Sequence, residues 1–86
     1  MENQKLKNAI LEVINKQIMD NDPPETKKTL ARLQENGYSK EEVMKLIGYV
    51  VASEVFAVLR ENRPYDEKKY IAALKALPKL PWTKEG

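Results

Sequence analysis

Residues 36–62 read NGYSKEEVMKLIGYVVASEVFAVLREN, and the fold turns on them. Gly37 is placed to take the left-handed conformation that stops a helix, which lets Tyr38 pack back on Leu33. Ser39 and Glu42 have the S-x-x-E spacing of a capping box, and Tyr38 with Val43 has the spacing of a hydrophobic staple. These residues agree that one helix ends and another begins here, and nothing stops the new helix before Asn62. Val43, Leu46, Ile47, Val50, Val51, Val55 and Val58 give it one broad apolar side, while Tyr49, Ala52, Phe56 and Leu59 occupy much of the other. At 1.5 Å per residue such a helix is roughly 35 Å long. A helix apolar on both sides has to be central, with cover on both sides.

Working outward, Leu6, Ile10, Val13, Ile14 and Ile18 recur at three- and four-residue steps and predict an amphipathic helix over 3–19. In the joint DNDPPE, Asp22 is the expected cap and Pro23 the first helical residue, so a second helix is predicted over 23–36. Its apolar stripe, Thr26, Thr29, Leu30 and Leu33, is thin. On the other side of the long helix Pro64 breaks the chain, and Asp66 is placed to cap a fourth helix over 66–77. Tyr65 and Tyr70 have staple spacing there, and Pro78 ends the helix. Leu80 and Trp82 in the Pro-rich tail are expected to dock on the bundle. The expected architecture is one all-α domain over 1–86, a compact bundle of four helices (3–19, 23–36, 40–62, 66–77) with the long third helix at its centre.

Composition narrows the chemistry. The 86 residues include 15 Lys plus Arg and 13 Asp plus Glu, a net charge of +2 that is too small to imply a nucleic-acid or membrane partner. With no Cys and no His, disulfides, thiolate zinc sites and catalysis by Cys or His have no residues to use, so no metal and no cofactor is expected. The longest stretch nearly free of charge, residues 46–59, includes Glu54 and falls short of the roughly 20 residues of a membrane span. The N-terminal MENQKLKNAI has no uninterrupted apolar core of a secretory signal, so a cytoplasmic location is expected.

Three groups of residues invite a functional reading. Glu54 projects within about 40° of Val43, Ile47, Val50 and Val58, where a carboxylate must be paired, hydrogen-bonded or protonated. It reads first as a buried polar anchor for the hydroxyl of Tyr38, Tyr65 or Tyr70, the guanidinium of Arg32, or a Lys. The alternatives are a place in a self-complementary dimer seam, or a small enzyme or ligand-binding protein using Glu54 in a pocket. Tyr49, Ala52, Phe56 and Leu59 lie opposite the core side and form the candidate dimer face. Lys27, Lys28 and Arg32 form the densest basic cluster, a candidate site for weak anion or nucleic-acid binding. The corner around Gly37 also has the outline of a DNA-binding helix-turn-helix or a ubiquitin-associated module. Its second helix grows more apolar as it proceeds, which does not suit the first, and is about twice too long for the short helices of the second. Gly48, at a cost of about 1 kcal/mol relative to Ala, suggests another backbone close by. The reading that absorbs most of these features is a protein-interaction or homo-oligomerisation module, a dimer above all, and not an enzyme.

The runs NDPPET (21–26), T-L-x-R-L (29–33), G-Y-S-K-E-E (37–42), I-G-Y-V-V-A-S-E-V-F-A-V-L (47–59), Y-D-E-K-K-Y-I-A-A-L (65–74) and L-P-K-L-P-W (77–82) carry a resemblance over about residues 8–82. The chain resembles a family of small bacterial all-helical proteins of unassigned function, some longer members of which carry an appended zinc-binding SEC-C segment. The resemblance implies a bacterial cytosolic origin. It implies no zinc site, since the SEC-C segment and its Cys and His residues are missing from this sequence. With no soft metal ligand in the chain, EDTA is expected to leave the thermal melting temperature unchanged; a clear shift would show that a metal stabilises the fold.

Overall fold

In the computed structural model, which describes residues 4–80, the chain forms α1 (Gln4–Asp20), α2 (Pro24–Glu35), α3 (Lys40–Glu61) and α4 (Glu67–Ala76), with no strand among the described residues. Each boundary falls within one residue of its expected position. Trp82 lies outside the described residues, whereas Leu80 packs against the core.

Three helices end on a left-handed residue: Asn21 (φ 53°), Gly37 (φ 102°) and Asn62 (φ 52°). After α2, the Gly37 N–H donates to the Gln34 carbonyl at 3.1 Å and the Tyr38 N–H to the Leu33 carbonyl at 3.1 Å, the bond pair that the corner reading expects. After α1, the Asn21 N–H reaches Ile18 at 3.2 Å and the Asp22 N–H reaches Gln17 at 3.0 Å, so an asparagine makes the same motif. After α3, the Asn62 and Arg63 N–H groups both donate to the Val58 carbonyl.

The helix starts are specified by side chains in two cases of three. The Glu42 N–H donates to Ser39 Oγ at 3.1 Å and the Ser39 N–H to Glu42 Oε1 at 2.9 Å, completing the capping box of α3. Asp66 Oδ1 accepts from the N–H groups of Lys68 and Lys69, opening α4. At α2 the expectation needs correcting. Pro23, not Asp22, is the N-cap, and no side chain bonds there. Pro24 takes the first helical position, where its fixed φ suits the helix and its missing N–H leaves one fewer donor to satisfy.

Burial follows the apolar stripes. Ile14, Leu33, Val43, Ile47, Val50, Leu74 and Leu77 are essentially inaccessible. α3 packs against every other helix, and so does α2, while the backbones of α1 and α4 do not approach each other. The thin stripe of α2 is thus as central as that of α3, with Thr26 and Thr29 buried alongside Leu33. Val55, at the edge of the supposed core side, is 48% exposed. No helix of the described residues is long and apolar enough to cross a membrane.

Gly48 also departs from expectation. No backbone crowds it: a methyl group added there would sit 3.5 Å from Ile10 Cγ2, an ordinary van der Waals distance. Gly48→Ala is therefore expected to stabilise the chain in urea denaturation by roughly 0.5–1 kcal/mol, the helix-interior difference between the two residues. A loss of stability would mean that Ile10 cannot accommodate the methyl.

Candidate functional site

Because α1 and α4 stand apart, α3 forms the floor of a groove of about 330 Å³ between Val13 and Gln17 on one wall and Tyr65 and Tyr70 on the other. Val55 and Leu59 line its apolar part, and Glu54 lies within it. The left-handed turn at Asn62 sends the chain back along α3 and brings Arg63 over Glu54. Arg63 Nη1 donates to Glu54 Oε2 at 3.0 Å and Nη2 to Oε1 at 3.3 Å, a two-pronged pairing. The Asp66 N–H adds a bond to Oε2 at 3.2 Å, and Arg63 Nε reaches Glu61 Oε1 at 2.6 Å. The Glu54 side chain is 12% exposed and that of Arg63 21%.

The partner of Glu54 is thus none of Tyr38, Tyr65, Tyr70 or Arg32. Tyr70 is buried, with its hydroxyl donating to Gln17 Oε1 at 2.8 Å; Arg32 Nη1 and Nη2 donate to the Leu77 and Leu74 carbonyls at 2.9 and 3.1 Å, closing the end of α4. The Arg63 hydrogen bonds hold the Glu54 carboxyl below its ordinary value of 4.5, against the opposing pull of burial, and the Asp66 N–H adds to the lowering. A carboxylate with its lone pairs on three N–H donors and a lowered pKa is well suited to joining α3 to the start of α4. It is poorly placed to give up or accept a proton.

Gln17 was not among the expected residues. Its Oε1 accepts from Thr26 Oγ1 at 2.7 Å as well as from Tyr70, so one amide oxygen connects α1, α2 and α4. Burial pushes the Tyr70 phenol up, with Thr26 and Gln17 pulling it back, and the group stays a hydrogen-bond donor. The signal for Gln17 is its position in the apolar stripe of α1, one step after Ile14 and Val13. The signal for Arg63 is Asn62, which tolerates the left-handed turn at a helix end.

Tyr49, Phe56 and Leu59 are exposed and Ala52 is half-buried. They do not share one depression. Leu59 lines the groove that holds Glu54, whereas Tyr49 and Ala52 line a second, larger groove of about 770 Å³ between α1 and the first half of α3. Phe56 lines neither and is 59% exposed. Lys27 and Lys28 are exposed on α2, but the guanidinium of Arg32 is occupied by α4. Among the described residues no group of three or more acidic side chains is placed to hold a metal ion. Comparisons with protein-family models, with curated proteins and with solved structures return no match.

A double-mutant cycle with Glu54→Ala and Arg63→Ala in urea is expected to give a coupling of about 0.5–3 kcal/mol. Because the Glu54 pKa is lowered in the folded chain, its stabilisation is complete above the ordinary carboxylate value and is lost as pH falls through the folded value. The parent should therefore lose stability more steeply below about pH 4.5 than Glu54→Gln does. Additive single effects and identical acid slopes would show that the pair contributes nothing.

Proposed function

We propose that this chain is a homodimerising interaction module and that its seam is the outward stripe of α3, Tyr49, Ala52, Phe56 and Leu59. The observation that carries this reading is the exposure of large apolar side chains along one helix: Phe56 is 59% and Leu59 71% accessible, with Val55 and Val13 exposed beside the stripe. Patches of this kind on a small chain mark contact sites. The spacing of the stripe supports a second copy as the cover. Tyr49, Ala52, Phe56 and Leu59 are separated by three, four and three residues, a sequence of steps that reads the same in both directions. Two such helices packed antiparallel about a two-fold axis would set Ala52 of each copy against Phe56 of the other, small against large, and Tyr49 against Leu59. A two-fold interface is self-complementary in this way, with residue i on j and j on i. The stripe would make roughly 15 Å of seam. The bacterial cytosol implied by the family resemblance belongs to the same proposal.

A binding role also agrees with the state of Glu54, whose lone pairs already meet three N–H donors. The test is the concentration dependence of melting, since a folded dimer is stabilised by mass action. The melting temperature of the parent should rise with protein concentration. Phe56→Glu should abolish that rise and keep the helical circular dichroism. A parent whose melting is independent of concentration, or a Phe56→Glu chain unfolded at every concentration, would overturn the seam.

A further inference from the structure

We infer that the larger groove, between α1 and the first half of α3, receives an amphipathic helix of another protein whose apolar face is flanked by acidic side chains. The first ground is Gly48, which lines this groove together with Ile10, Met44 and Ala52. A glycine inside a helix costs stability, and nothing in the chain needs it, because an added methyl would meet only Ile10 at ordinary distance. What the missing side chain provides is depth. With Ala52 one turn further on, it leaves a low floor over which an incoming helix backbone can come close, since the distance between packed helices is set by the side chains at their crossing.

The second ground is charge. Lys7 stands on the α1 wall, and Lys40 and Lys45 stand on the α3 wall, with Glu41 as the acidic residue on the rim. None of the three lysines forms an ion pair among the described residues. Cations on both banks of an apolar floor complement a helix with acidic residues on both flanks of its apolar face, an arrangement that fixes orientation and speeds association. The α3 wall from Lys40 to Ala52 is about 18 Å long, room for roughly three turns. A second copy of this chain is the poorer occupant: α1, α2 and α4 each carry more basic than acidic residues, and on α3 the carboxylates of Glu42, Glu54 and Glu61 are already taken by Ser39 and Arg63. An anionic bilayer is poorer too, since the floor is recessed between two helices.

This inference does not rest on the dimer. Gly48 and the three lysines lie outside the proposed seam, although Tyr49 and Ala52 are common to both, so helix and second copy would compete.

The probe is a fluorescently labelled synthetic helix of three heptads with Leu at positions a and d and Glu at e and g, titrated by anisotropy; the control carries Lys at e and g. The acidic probe should bind, with an affinity that falls as salt is added, and the basic control should not. Lys7→Glu with Lys45→Glu should weaken the acidic probe by about tenfold or more, as expected for reversing charges across an interface. Gly48→Leu, which fills the floor, should weaken it while the chain stays helical. Phe56→Glu should bind as well as the parent or better, which separates a failure of the dimer from a failure of the groove. Equal binding of both peptides, indifference to the lysine reversals, or binding to phosphatidylserine vesicles with none to the acidic probe would overturn the inference.

Discussion

The apolar surface of α3 exceeds what the rest of the chain can cover. Its 22 residues are flanked by helices of 17, 12 and 10, and the two flanking helices α1 and α4 do not meet over it. Burial of apolar area is the main favourable term in folding, so the three shorter helices collect on the side formed by Val43, Ile47, Val50 and Val51. The remainder of the helix stays at the surface, as the stripe ending at Leu59 and as the floors of two grooves.

Polar groups bridge the gap between α1 and α4 and reinforce the packing of α4 on α2 and α3. α1 and α4 are joined through the Gln17 amide, which takes the hydroxyls of Tyr70 and Thr26. α3 and α4 are joined through Glu54, whose two oxygens collect Arg63 and the Asp66 N–H, and α2 and α4 through the carbonyls bonded by Arg32. Each of these groups is partly buried and each meets a partner, as such groups must when water is excluded. Each joint is also defined locally, by a left-handed residue, a capping side chain, or both.

Much of this was legible in the residues. The corner from Leu33 to Val43 is local, because the left-handed glycine and the capping box each act within a few residues, and both form as their spacing implies. The rotation of α3 was legible as well, since helical periodicity alone puts Glu54 near the buried side. What periodicity does not contain is which distant group arrives. Arg63 reaches Glu54 only because Asn62 adopts a left-handed conformation that asparagine tolerates but does not demand. The neighbour of Gly48 is a tertiary fact of the same kind: the residue implied a close backbone, and the fold supplies a methyl group of Ile10 instead. The cap of α2 is not legible in the sequence, because two consecutive prolines offer two positions for the start of a helix and propensity does not choose between them.

The central claim is that the outer face of α3 is covered by a second copy of the chain. Light scattering coupled to size exclusion, run on the unaltered protein over a range of loading concentrations, tests it most directly. The expected mass is twice the 9.9 kDa of the chain, falling toward the single-chain value only on strong dilution. A mass of 9.9 kDa at every concentration would contradict it.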